Sequence, residues 1–243
     1  MNRILFEADE IKDGVATFGG ERAEHVMNVL HGEVGQVLKT GEINGLIGTS
    51  VITDISTPSS LSITVTCSHT EKSLAPWIDL ILAPPRPRVM KRLLPQLAAL
   101  GVGRIFLVGA KKVEKDFWGA TLLKSENYRP LLIDGLMQAG TSILPTLETR
   151  RNFRKFIKEE LDALFPSATR IIAHPYDGTQ TLKHSNTQTL LLAIGPEGGW
   201  TDDEVTLLEE HGFARYSLGS RILRTDTATV ALLAQLMKEF DKC

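Results

Sequence analysis

Apolar residues follow two rhythms along this chain. Up to about residue 70 they fall in short β-rich runs, Gln36–Thr40, Leu46–Ile55 and Leu61–Cys67, punctuated by glycines at 32, 35, 41, 45 and 48. Short strands between glycine turns predict a small closed barrel. Glu21–His31 fits one short helix, with Ala23, Val26, Met27 and Leu30 facing inward. Barrels of this kind suit RNA, although fold alone assigns no function. Thr70–Pro76 is polar and ends in proline, so the boundary is placed here, giving domains 1–70 and 71–243.

Beyond that boundary the pattern alternates between apolar runs of strand length and helical periodicity. Strands are predicted at Trp77–Ala83, Arg104–Val108, Thr169–Ala173, Leu190–Ile194 and Ala214–Leu218, and helices at Arg88–Leu100, Tyr128–Ala139 and Phe153–Phe165. Pro95 is expected to kink the helix that contains it. Strands separated by helices imply a mostly parallel sheet covered on both faces. The fold class is therefore α/β.

Two glycine-marked corners stand out. Leu190–Ile194 is continuously apolar, as a buried strand of such a sheet would be, and Gly195, Pro196, Glu197, Gly198 and Gly199 break it. Thr201 and Glu204 then form a capping box that opens a helix. Strand, glycine loop and helix in this order make a ligand corner at a strand's carboxyl end. Glu197, Asp202, Asp203 and Glu204 crowd that helix start with negative charge, which argues against a phosphate cradle. In the second corner, Gly219 ends a strand and Ser220–Arg224 lead to a helix that begins near Thr225 or Asp226, both good caps. That helix, Ala228–Phe240, is apolar on nearly every side, which places it in the core or at a dimer interface.

Composition narrows the function classes. Of 243 residues, 42% are apolar and 23% charged, with a net charge of −2, so no global basic field advertises nucleic acid and RNA contact would rest on local patches. Two cysteines, Cys67 and Cys243, are too few for a disulfide framework. No run of about 18 apolar residues exists, and the amino-terminal apolar stretch is only Ile4–Phe6, so a cytoplasmic protein is expected. Gly101 and Gly103 follow a helix and precede a strand, the reverse of a dinucleotide fingerprint. The six histidines, at 25, 31, 69, 174, 184 and 211, show no HExxH or CxxC company, and no metal is expected.

GPEGGW at 195–200 followed by LGSRILRTDTA at 218–228 resembles the paired carboxy-terminal motifs of the RsmE family of 16S ribosomal RNA uracil-N3 methyltransferases, within the SPOUT superfamily. The resemblance extends more loosely over the whole chain. It implies a SPOUT-type parallel sheet with a carboxy-terminal trefoil knot, preceded by a PUA-like β-barrel. It further implies S-adenosylmethionine as cofactor, 16S ribosomal RNA or the small ribosomal subunit as substrate, and a homodimer. The matching cofactor positions are Ile194, Gly195, Pro196, Glu197, Gly198, Leu218, Gly219, Ile222, Leu223 and Thr225.

S-adenosylmethionine carries an activated methyl on a sulfonium, so the protein need only align the methyl, exclude water and help the acceptor lose its proton. The uracil N3 proton lies on the pairing edge, so the base must be unpaired or flipped out. Arg224 is the first catalytic candidate, gripping a phosphate or a uracil carbonyl oxygen; its alternative role is a salt bridge to Asp226. Asp226 either orients Arg224, acts as base, or only caps the helix; the family usually carries Glu here. Glu197 faces the sulfonium or the solvent. The best RNA patch is Arg86, Arg88, Lys91 and Arg92; Lys111, Lys112 and Lys115, and Arg150, Arg151, Arg154 and Lys155, form two further basic clusters.

The chain departs from the family pattern outside the cofactor corners. Gln96–Val102 reads QLAALGV where the family typically has KATELGV, Met137–Thr141 lacks the acid and arginine of EQxGR, and His31 replaces the arginine of VLR. Two functions are compatible with these residues: uridine N3 methylation of small-subunit ribosomal RNA, or a degenerate relative that binds RNA or ribosomes without transfer. A methyltransferase with another RNA target lies between them.

Overall fold

A computed structural model describes residues 2–57, 60–175 and 189–240. His184 and Cys243 lie outside the described residues. The chain divides into two compact units, Met1–Ala75 with Ile133–Leu144, and Pro76–Leu132 with Pro145–Cys243.

The first unit is a six-stranded mixed sheet. Its strands are β1 (Ile4–Phe6), β2 (Ile11–Lys12), β3 (Val15–Gly19), β4 (Val37–Glu42), β5 (Ile47–Ser56) and β6 (Ser62–Glu71), in the order β1-β4-β5-β6-β3-β2. Only the β1–β4 pair is parallel. Alternation along β3 puts Ala16 and Phe18 inside with Ile52, Ile63 and Val65, while Val15 and Val51 face out. Helix α1 (Gly20–Asn28) buries Ala23 and Val26 as expected, but it stops short of the predicted end. Leu30 N and Gly32 N turn back to His25 O and Val26 O, His31 takes φ 51, and Leu30 leaves the inner face.

The second unit is a six-stranded sheet in which every pair is parallel. It contains β7 (Ile78–Leu82), β8 (Val102–Val108), β9 (Thr146–Arg150), β10 (Thr169–Ala173), β11 (Leu190–Ile194) and β12 (Ala214–Tyr216), in the order β12-β10-β11-β7-β8-β9. All residues of β7 and β11 are buried, which is why β11 reads as an unbroken apolar run and β7 as one interrupted only by Asp79, rather than as alternations. Edge strand β9, TLETR, was not expected from the sequence; its outer positions are polar and it pairs on one side only.

Helix α2 (Pro87–Ala99) begins with a proline at its first position, where a missing N–H costs nothing, and continues through Pro95. Helix α3 spans Ser125–Ala139. The single helix expected over 153–165 is instead α4 (Phe153–Lys155), a π turn (Phe156–Glu160) and α5 (Leu161–Leu164). The widened turn lets Phe156 stack on Phe106 at 5.3 Å while Phe165 meets the same ring edge-on at 5.7 Å. Helices α6 (Asp202–Glu210) and α7 (Thr225–Phe240) follow the two glycine corners. Among the described residues no helix is long and apolar enough to cross a membrane.

Near the amino ends of β7 and β8, Asp79 is tied to Arg104. Its Oδ2 accepts Arg104 Nε at 2.9 Å and Nη2 at 2.7 Å, and its Oδ1 accepts the Arg104 backbone N–H at 2.7 Å. Arg104 also lies over the Phe165 ring at 4.3 Å. This buried carboxylate fixes the register of the central strands and so the position of their opposite, carboxyl ends.

Candidate active site

From the central pair β7 and β11 the strand order departs in opposite directions, through β8 to β9 on one flank and through β10 to β12 on the other. Such a reversal opens a crevice at the carboxyl ends of the strands, the usual ligand position in an α/β sheet. Leu82 pairs with Ile194, and Ala83 N donates to Ile194 O at 2.9 Å, so the two strands end together. The Pro84–Arg86 loop and the first glycine corner therefore leave the sheet side by side.

In the first corner, Ile194 and Pro196 are buried, Gly195 is half-buried, and Glu197 and Gly198 are exposed. Gly199 N donates to Pro196 O at 2.8 Å with Gly199 at φ +71, a conformation that strains any side chain larger than hydrogen. A Cβ on Gly195 would lie 3.1 Å from both Trp200 N and the indole ring, so glycine allows the loop to fold onto Trp200. That indole lies tilted against Phe153 at 5.3 Å, and its buried Nε1 has no partner among the described residues. Leaving such a donor unpaired costs about 1–3 kcal/mol, so it marks a place for an acceptor.

The expected capping box forms its return bond, Thr201 N to Glu204 Oε2 at 2.9 Å. Glu204 does more than cap. Its Oε1 accepts Lys111 N at 2.7 Å, while Lys112 Nζ donates to Gly198 O at 2.7 Å, so the loop after β8 is fastened to the corner at two points. Both roles escaped sequence reading, because the partners are brought together only by sheet order. Arg86, Lys112, Glu114 and Glu197 line a small cavity of about 40 Å³ here with Pro84, Pro85 and Pro196. The hydrogen bond from Arg86 to Glu114, and the further charge of Glu197, push the Arg86 guanidinium above its usual range.

In the second corner, β12 ends two residues earlier than expected, at Tyr216. Gly219 takes φ 113 and its N–H donates to Ser217 Oγ at 3.1 Å. Apart from this Ser217–Gly219 turn, the main chain from Leu218 to Leu223 makes no hydrogen bond among the described residues. Leu218 and Gly219 are half-buried, whereas Ile222 is 72% and Leu223 37% exposed. Thr225 is buried and begins α7, with Arg224 O accepting Ala228 N at 2.8 Å. Arg224 thus occupies the cap position, and Thr225 and Asp226 are the first two residues of the helix.

Arg224 is exposed and forms no ion pair among the described residues, so the suspected bridge to Asp226 is absent. Asp226 instead accepts Thr227 N at 2.9 Å through Oδ1 and meets Arg92 Nη2 at 3.5 Å through Oδ2. Arg92 thereby joins α2 to the second corner. Arg88 and Lys91, exposed on the same helix, carry no ion pair among the described residues. No group of three or more His, Cys, Asp or Glu that could hold a metal occurs among the described residues.

A parallel α/β sheet with two glycine corners at the carboxyl ends of its strands is consistent with an RNA methyltransferase domain, and the family model of that description matches residues 71–237. The ribosomal RNA small subunit methyltransferase E of Treponema pallidum is 31% identical over 242 residues, spanning 98% of this chain and 91% of that protein. One of the Borreliella burgdorferi proteins of the same name is 26% identical, with 95% of each chain covered. The chain belongs to the ribosomal RNA small subunit methyltransferase E family. Its fold matches that of the Neisseria gonorrhoeae enzyme solved with S-adenosyl methionine, at TM-score 0.76 and 22% identity over 98% of this chain and 97% of that one.

Proposed function

We propose that the protein transfers a methyl group from S-adenosylmethionine to N3 of a uridine in 16S ribosomal RNA. The observation that carries this reading is the meeting of β7 and β11 at the switch point, with the glycine corner after Ile194 bringing Pro196 and Glu197 beside Arg86. The residues present fit the cofactor. Trp200 Nε1 is a buried donor in need of an acceptor, and the Leu218–Leu223 main chain offers N–H and C=O groups that the described residues leave unused. Such a strip suits an adenine edge and ribose hydroxyls, which main-chain groups recognise without side-chain charge. When bound, S-adenosylmethionine supplies the electrophilic methyl.

The chain's own part is positional and electrostatic. Ile194, Gly195, Pro196, Glu197 and Gly198 form one wall of the cofactor site, and Leu218, Gly219, Ile222, Leu223 and Thr225 the other. Arg224, unpaired at a helix start, is free to meet a uracil carbonyl oxygen and stabilise the charge left as the N3 proton departs. Asp226 already takes an N–H on each oxygen, which supports a positioning role through Arg92 rather than proton abstraction. Arg86, Arg88, Lys91 and Arg92 lie beside the crevice, where an RNA strand would pass.

The same reading assigns residues 1–70 to a PUA-like RNA-binding barrel and residues 71–243 to a SPOUT domain with a carboxy-terminal trefoil knot, acting as a cytoplasmic homodimer. Part-exposed apolar residues on α7, among them Val230 and Met237, are consistent with a partner there.

Calorimetric titration with S-adenosylmethionine tests the cofactor site. Gly195→Val should weaken binding at least about tenfold, because its side chain would have to displace Trp200 or occupy the corner. Wild-type affinity in that variant, with its fold intact by circular dichroism, would remove the cofactor from this corner.

A further inference from the structure

Two basic clusters that are distant in sequence converge on one open cleft of about 420 Å³ at the carboxyl ends of β8 and β9. Lys111 comes from the loop after β8, and Arg151 and Arg154 from the start of the helical stretch after β9. Gly109 lets these strands end in contact, since a Cβ there would lie 2.0 Å from Arg151 O. Phe153, buried under the cleft, gives it a rigid apolar floor.

The charges are available to a ligand. Lys111 is exposed and has no ion pair among the described residues. Arg151 is held by Trp118, whose carbonyl accepts its Nη2 at 3.1 Å and whose ring lies 5.6 Å below the guanidinium, leaving its other donors free. Arg154 meets Asp203 at 3.2 Å in an exposed pair, and such pairs exchange readily. Glu204 also lines the cleft, but it is buried and both its oxygens already accept backbone N–H groups. Asn152 Oδ1 caps the helical stretch through Lys155 N at 3.0 Å, which leaves its amide NH₂ as a further donor.

The loop after β8 separates this cleft from the first glycine corner: Lys111 lines the cleft, whereas the next residue, Lys112, bonds to Gly198 O. We propose that the cleft binds phosphodiester groups of the RNA strand beside the target nucleotide. This rests on the methyltransferase reading and adds to it a second, separate anchoring point. Cations on a rigid floor, one wall away from the reacting base, would fix the strand's register without reading its sequence.

The test measures affinity of the full chain for a short single-stranded uridine-containing RNA across a potassium chloride series, for wild type, Lys111→Gln and Arg154→Gln. Each substitution should weaken binding several-fold and reduce the slope of log affinity against log salt by about 0.7, with S-adenosylmethionine affinity unchanged. Unchanged RNA affinity and slope in both variants, with losses only in Arg88→Gln or Lys91→Gln, would overturn the proposal. Inorganic phosphate is titrated in parallel; phosphate binding that Lys111→Gln abolishes without altering RNA affinity would also overturn the RNA assignment. Methyl transfer by the wild type to small subunits separates the two claims. Transfer that persists with RNA affinity unaltered by the substitutions removes the phosphate site alone, whereas absence of transfer removes the methyltransferase reading.

Discussion

Replacing Arg224 with alanine should lower the rate of methyl transfer by about 10²–10³-fold, the usual cost of removing one preorganised donor to a developing oxyanion. Affinity for S-adenosylmethionine should stay within about twofold, because Arg224 enters the account through its side chain while the cofactor wall is main chain. Single-turnover rates together with cofactor titrations check both parts. Asp226→Ala and Arg92→Ala give the contrast. If Asp226 acts through its 3.5 Å contact with Arg92, both variants should show the same modest loss, no more than about fivefold, as expected of an exposed pair. A loss of about 10²-fold or more in Asp226→Ala alone would make Asp226 the base.

The largest stability effect is expected far from the chemistry. Asp79→Ala should destabilise the parallel-sheet unit by about 2–4 kcal/mol, since it strands the Arg104 guanidinium and backbone N–H. The figure sits below that for a fully buried pair because the Arg104 side chain is 35% exposed. For a unit of this size the melting temperature should fall by roughly 5–15 °C. Lys155→Ala, which removes an exposed pair with Glu159, should shift it by about 2 °C or less. Equal melting temperatures for Asp79→Ala and Lys155→Ala would show that the Asp79 cluster does not hold the strand register.

The parallel sheet was legible because its central strands are buried on both faces, and Leu190–Ile194 reads as such without any alternation to confuse it. Both glycine corners were visible for a related reason: a break after an apolar run, with caps behind it, leaves few other conformations open. Strands β1, of three residues, and β2, of two, are too short to show a period. Edge strand β9 is too polar to stand out, because only one of its sides is paired. The π turn at Phe156–Glu160 answers to ring packing on Phe106, a contact no local pattern encodes.

The motifs single out Gly195, Gly219 and Arg224 as candidates, but not the bonds between elements. Of the roles open to Asp226 in the sequence, orienting Arg224 is the one its contacts do not support, since it meets Arg92 across the α2–α7 packing. Lys112 and Glu204 hold the first corner through partners that only the strand order brings close. The convergence of Lys111 with Arg151 and Arg154 was hidden for the same reason, since each looked like part of a solvated charge run.

Methylation of a ribosomal uridine at N3 is read from the identity of the labelled nucleoside. Purified protein is incubated with radiolabelled S-adenosylmethionine and small ribosomal subunits from cells lacking the activity, and the RNA is digested to nucleosides. Label should appear in 3-methyluridine and be absent with the Arg224→Ala protein. Tight cofactor binding with no label in subunits or in total RNA would contradict this and leave a binding protein without transfer.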